Sequence, residues 1–328
     1  MKNKYRNIFL AFGIVAVLIM IFTFDMDYQE LWANLKRAGV YLPLVLLLWL
    51  FVYLINTTSW YIIIRSGGEP GVSFARLYKF TVTGFALNYV TPVGLMGGEP
   101  YRIMELKPYI GVERATSSVI LYVMMHIFSH FCFWLSSVLL YLCLYPVGWV
   151  MGTILGTITV FCLLVAMLFV KGYQHGMAVA FVRLGSHLPF LKKKVIRFAD
   201  SHREQLENID KQIALLHQQK KGAFYAALFL EYTAHVVSCL EIWLILNVLT
   251  RSVSFADCCL IAAFSSLLAN LLFFLPMQLG GREGGFALAV GGLSLSGAYG
   301  VYVALITRVR EMVWIVIGLA LMKVGNKK

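Results

Sequence analysis

The chain has 328 residues, 60% of them hydrophobic and 13% charged, with a mean hydropathy of +0.76. That balance excludes a soluble globular domain, and long unalternating apolar runs exclude a β-barrel. Its 28 Lys and Arg against 16 Asp and Glu give a formal charge of +12, which in a membrane protein marks cytoplasmic loops and not a nucleic-acid partner.

The first element is the apolar run from Ile8 to Phe24, behind the basic start "MKNKYR". No small-residue cleavage site precedes Asp25 and Asp27, so it reads as a retained helix and not a cleaved signal peptide. Each crossing of the roughly 30 Å hydrocarbon layer needs about 20 apolar residues. Further spans are predicted over Tyr41 to Ile64, Thr116 to Tyr145, Val147 to Val170, Gly222 to Leu249 and Ala298 to Met322. Two more apolar regions, Leu77 to Tyr109 and Ala256 to Gly292, are too long for one crossing and are interrupted near the middle by Pro and Gly. The expected fold is an all-α polytopic membrane protein, about six full transmembrane helices plus two re-entrant broken-helix hairpins.

Basic residues orient this layout. Lys2, Lys4 and Arg6, then Arg65, Arg76 and Lys79, then the segment 171–221, then Lys323, Lys327 and Lys328 fall on one side. By the positive-inside rule that side is cytoplasmic, which places both termini there in a bacterial inner membrane. The segment 171–221 contains the run Lys192, Lys193, Lys194 and apolar residues at helical spacing. It fits an amphipathic connector lying on anionic headgroups, or equally a solvated linker. Six cysteines without zinc-type spacing read as small core residues.

An internal repeat underlies the order of elements. "VSFA" occurs at 72–75 and again at 253–256, each time just before an interrupted region. Pro92, Leu95 and Glu99 recur as Pro276, Leu279 and Glu283 at the same spacing, with glycine pairs Gly97, Gly98 and Gly280, Gly281 offset by one residue. A single transmembrane domain, 1–328, then divides into a first repeat over 8–145 and a second over 147–322 that includes the connector. The second copy starts from the opposite side, so the copies are inverted. Inverted repeats with broken helices are a recurrent plan of transporters.

The breaks themselves, "TPVGLMGGEPYR" and "LPMQLGGREGG", suggest a site. Non-helical backbone at membrane depth must be enclosed or wet. Pro92, Gly94, Gly97, Gly98, Pro276, Gly280, Gly281 and Gly284 would shape it. Two helix N-termini with Arg102 and Arg282 beside them offer N–H donors and guanidinium forks to a phosphate. Arg308 and Arg310, charged within the last span, extend a headgroup-binding set of Glu99, Arg102, Arg282, Glu283, Arg308 and Arg310. Two roles remain open for the glutamates: contact with substrate, or capping their own helices and pairing with the arginines. His126 and His130 in the third span, and Glu231 and His235 in the fifth, repeat at i, i+4 and so share a helix face. They suit a proton relay or interhelical hydrogen bonding; two-residue pairs are weak grounds for a metal, and none is assigned. No nucleophile elbow, phosphate loop or dinucleotide motif is present, so no cofactor and no catalytic residue is expected.

With both motifs placed, the chain resembles the lysylphosphatidylglycerol synthase transmembrane domains, also described as flippase-like membrane proteins. Pro92, Gly97, Gly98, Glu99 and Arg102, and Pro276, Gly280, Arg282, Glu283 and Gly284, match the two motifs of that family position by position. The resemblance implies movement of a phospholipid or lipid-linked phosphate between leaflets, by a stand-alone member without the synthase domain. In the third span the family carries an Asp-Arg pair and a following Asp, whereas this chain reads "LYVMMHIFSH". The charge relay expected there is absent, or replaced by His126 and His130. The expected function is a lipid translocase and not an enzyme. The alternatives are a membrane-embedded enzyme acting on lipid-linked phosphate or sugar, and a scaffold for a lipid-modifying enzyme. Expected partners are the membrane, a phospholipid or lipid-linked substrate, and either a second copy of the chain or such an enzyme.

Overall fold

The computed structural model describes residues 32–33, 36–90, 97–175, 211, 221–250, 253–271, 281–293 and 295–323. Their principal elements are nine helices, with no strand among the described residues: α1 Tyr41–Ser66, α2 Phe74–Val90, α3 Gly98–Ile110, α4 Val112–Leu144, α5 Trp149–His175, α6 Lys221–Leu246, α7 Phe255–Leu271, α8 Gly281–Gly292 and α9 Gly297–Leu321. The predicted span from Ile8 to Phe24 and nearly all of the connector lie outside the described residues.

Four helices, α1, α4, α5 over Trp149–Phe169, and α6, are long and apolar enough to cross a membrane. The protein is a multi-pass membrane protein. Helix α9 has 25 residues, a length of about 37 Å at 1.5 Å per residue, but it carries Arg308, Arg310 and Glu311 and is not one of the four. Each interrupted region is two short helices, α2 with α3 and α7 with α8, of 17, 13, 17 and 12 residues. None reaches the length of about 20 residues that a full crossing needs.

The repeated "VSFA" begins both α2 and α7. In each copy the serine carbonyl accepts the first bond of the helix, from Leu77 N–H to Ser73 (3.0 Å) and from Cys258 N–H to Ser254 (3.2 Å). The preceding valines, Val72 and Val253, are both buried. In the second copy Ser254 and Asp257 also bond reciprocally, hydroxyl and carboxylate each satisfying the other's backbone N–H, the geometry of a capping box.

Packing follows the same two-fold logic. Helix α1 lies along α6; α2 packs on α9 as α4 packs on α7; α2 and α3 form one close pair, α7 and α8 another. Among the described residues α5 packs mainly on α4 and leaves most of its surface unburied. The interior is rich in aromatics, with Trp60 stacked on Tyr122 (centroids 5.5 Å apart) and Tyr53 edge-on to Trp314 (4.9 Å).

Close helix approach rests on small residues, because between membrane helices association depends on packing in place of the hydrophobic effect. A Cβ on Gly98 would fall on the Gly84 carbonyl, and one on Gly318 would meet Ala86 and the Val82 carbonyl. Gly98 therefore sets the α2–α3 distance and Gly318 the α2–α9 distance. Gly284, expected to shape the site, has nothing within 4 Å of a Cβ placed on it. Gly98→Ala and Gly318→Ala should each lower stability by about 1–3 kcal/mol through overpacking, read as a fall in thermal unfolding temperature in detergent, whereas Gly284→Ala should not lower it.

Candidate functional site

The first motif builds a sealed structure. Arg102, one turn from the start of α3, is 1% exposed. A Cβ on Gly84 would strike its guanidinium, so the absence of a side chain there is what admits Arg102 between α2 and α3. The guanidinium carbon sits 4.8 Å from the Phe85 ring, 5.2 Å from Tyr122 and 5.9 Å from Trp60, an aromatic cage of the kind that stabilises a desolvated cation. Its Nη1 donates to Glu99 Oε1 (3.3 Å) and its Nη2 to the Thr81 carbonyl (3.4 Å).

Of the role that combined capping with pairing, Glu99 shows the pairing, with Arg102, and makes no cap bond to α3. Its Oε1 instead accepts from Asn88 Nδ2 at 2.9 Å, and Asn88 Oδ1 accepts the Gly98 N–H at 2.7 Å. Asn88, on α2, is the cap. A neutral amide serves here because it can bond to the free N–H and to the carboxylate at once, which a second carboxylate could not. Pro92, Gly94, Pro276 and Gly280 lie outside the described residues; Gly97 and Gly281 stand at the starts of α3 and α8.

The second motif opens onto a cavity of about 300 Å³ enclosed by α1, α2, α4, α6, α7, α8 and α9. Arg282, Arg308 and Arg310 line one wall with Glu241 and Glu311. Arg310 is held most firmly: Nε and Nη2 grip the two oxygens of Glu241 at 2.9 and 3.1 Å, and its guanidinium lies 3.7 Å from the Trp49 ring centroid. Trp49 in turn donates its indole N–H to Glu241 (2.8 Å). Arg308 Nε donates to Glu283 at 2.8 Å, and Arg282 bonds Glu311. Glu311 also lies 3.7 Å from Arg310, so one carboxylate serves two guanidinium groups. The three arginines thus meet three carboxylates, as burial of charge requires. Glu283, like Glu99, bonds an arginine side chain, but from another helix.

Histidines also line the cavity: His126 and His130 from α4 and His235 from α6. His126 Nδ1 is 2.8 Å from Glu231, which is fully buried on α6. The structure therefore joins the four residues predicted as one cluster. It sets Arg282, Arg308 and Arg310 together at the cavity, with Glu283 bonded to Arg308, and leaves Arg102 and Glu99 outside its lining. Among the described residues, no group of three or more His, Cys, Asp or Glu side chains is disposed to hold a metal.

Sequence reasoning did not assign Trp49, Asn88, Glu241 or Glu311 to the site. Each was visible as a polar or aromatic residue within an apolar run, but only tertiary packing says which guanidinium it meets.

The sequence matches the family described as Lysylphosphatidylglycerol synthase TM region over residues 8–319. The chain belongs to that family. No curated protein and no solved structure gives a significant match. Membership joins a membrane-embedded charged cavity to a family named for an enzyme of lipid modification, and gives the protein a membrane role related to lipids.

The Arg310–Glu241 pair yields a test. Glu241→Ala should destabilise the protein by about 3–5 kcal/mol by leaving a buried cation short of a partner. Glu241→Ala with Arg310→Met should recover much of that loss, measured as a double-mutant cycle on thermal unfolding.

Proposed function

We propose that this protein is a lipid translocase that moves a phospholipid, or another lipid with a phosphate-bearing headgroup, between the leaflets of a bacterial inner membrane. The observation that carries the reading is the cavity itself, inside a bundle of membrane helices, with three guanidinium groups on one wall. Arg282 is the entering contact. It follows the first residue of α8, where free N–H groups and the helix dipole already favour an anion. Its side chain keeps 22% of its surface exposed, against 3% for Arg310. A phosphate taking the place of Glu311 on Arg282 leaves that carboxylate beside Arg310, so no buried charge is stranded during the exchange. Arg308 supplies a second fork, while Arg310 holds α9 to α6 and α1.

Alternating access is supported by the order of contacts. Exchange of α1, α2, α3 and α4 for α6, α7, α8 and α9 maps each main contact of one half onto a contact in the other: α2–α9 onto α7–α4, α3–α4 onto α8–α9, α1–α2 onto α6–α7. This is what two inverted repeats, 8–145 and 147–322, would produce, with α2–α3 and α7–α8 as re-entrant hairpins entering from opposite faces. Rocking one repeat against the other would then open the cavity to each leaflet in turn. The termini and the connector 171–221 lie on the cytoplasmic side in this arrangement.

Purified protein in liposomes containing fluorescent phosphatidylglycerol tests the proposal by accessibility of the label to an external quencher. Arg282→Gln and Arg308→Gln should each slow translocation at least tenfold, the scale of a lost hydrogen bond to a charged group of about 1.5–3 kcal/mol. Equal translocation by wild type and both variants, or recovery of a chemically altered lipid, would overturn it.

A further inference from the structure

The histidine wall offers what the arginine wall cannot, side chains able to take up and release a proton. Glu231 is 0% exposed, and its Oε2 meets His126 Nδ1 at 2.8 Å. Its Oε1 is buried with no hydrogen-bond partner among the described residues. A buried carboxylate with one partner is costly unless that partner is a cation or the carboxyl is protonated. Both solutions hold the same single proton, on one side or the other of the His126–Glu231 bond.

The neighbouring histidines have a different state. Ser129 donates its hydroxyl proton to the His126 carbonyl (2.7 Å), so its oxygen can only accept from His235 Nε2 (2.9 Å). That bond fixes the proton of His235 on Nε2. His130 packs against His235 with ring centroids 4.0 Å apart and has a buried Nδ1 without a partner, so charging both rings would set like charges in contact. Among the described residues no hydrogen bond joins one imidazole to another. The His126–Glu231 bond is where the cluster can hold a proton.

The surrounding charges make this proton decisive. At the cavity Arg282, Arg308 and Arg310 are balanced by Glu241, Glu283 and Glu311. Beside Glu231, α4 presents Tyr122, whose ring contacts Arg102 of α3, and Arg102 is balanced by Glu99. Toward the cavity α1 presents Asn56, α2 Phe85, Asn88 and the phenol of Tyr89, and α7 Ser265, Ser266 and Asn270. With its proton the His126–Glu231 pair is neutral, and the charges around the cavity, counting Glu283 with Arg308 and Glu231 behind His126, sum to zero; without it they sum to one negative charge.

We infer that His126 and Glu231 form a proton-binding site coupled to the headgroup cavity, so that one proton is taken up with each anionic headgroup. This rests on the cavity being the headgroup site, as proposed above. An anion enters a neutral cavity and is repelled from a negative one, and by linkage the bound anion holds the proton more tightly in return.

The experiment uses the full chain in detergent, short-chain phosphatidylglycerol as probe, binding measured between pH 5 and 9, and a pH dye in weak buffer to count protons. Wild-type affinity should fall as pH rises, by up to tenfold per pH unit, the limit for one linked proton, with proton uptake on binding at the alkaline end. Glu231→Gln, which holds the pair permanently in its neutral form, should bind with an affinity independent of pH and without proton uptake. His126→Gln, which leaves the proton to Glu231 alone, should move the pH at which affinity falls and serves if Glu231→Gln does not fold. Wild-type binding without proton uptake, or a pH dependence unchanged in these variants, overturns the proton site and leaves the headgroup site standing. Wild type that binds no phosphatidylglycerol at any pH and translocates none overturns both.

Discussion

Burying a guanidinium within a membrane bundle is the constraint around which this structure is arranged. Arg310 cannot be left in hydrocarbon without a partner, and meeting that demand recruits two other helices and a neighbour on its own. Glu241 comes from α6, Trp49 from α1, and Glu311 from the next residue of α9. Glu311 then fixes Arg282 at the start of α8. One buried cation thereby ties the central helix pair to the elements that frame the cavity, and the ties are directional where apolar packing is not. The bidentate geometry matters here, since a point charge would leave the rotation of α9 about its axis free.

Much of the architecture was legible because hydrophobic length and the placement of Pro and Gly are local properties. The helices α1, α4, α5, α6 and α9 fall within a few residues of the predicted spans, and each interrupted region resolves into two helices around its break. Partner choice was not legible. The sequence places Arg282 next to Glu283, yet it bonds Glu311, and Glu283 bonds Arg308. Neighbours in sequence near a helix start point about 100° apart around the axis, so adjacency is a poor guide to pairing. Asn88 shows the same gap: its amide caps α3 from ten residues earlier in the sequence, and only the α2–α3 approach permitted by Gly84 and Gly98 creates that contact.

The two motifs are alike in sequence and unlike in surroundings. Arg102 lies in an aromatic cage at 1% exposure, while Arg282 faces the cavity. A strictly symmetric pair of repeats would treat both arginines the same way. On the proposed reading the difference has a mechanical sense, because a transporter built from inverted repeats occupies one asymmetric state at a time, and its counterpart exchanges the roles of the halves. Each motif would then be closed in one state and open in the other.

The exchange is constrained by what each arginine would leave behind. Arg282 can trade Glu311 for a phosphate because Arg310 stands ready to keep the carboxylate. Arg102 has no second cation beside Glu99 among the described residues, but Asn88 already donates to the same oxygen. An amide holds a carboxylate less tightly than a guanidinium does, so release of Arg102 from Glu99 carries a larger penalty than release of Arg282 from Glu311. On the proposed reading the two halves would therefore be unequal in energy as well as in shape, and the resting state would be the one in which the first motif is closed and the arginines of the second face the cavity.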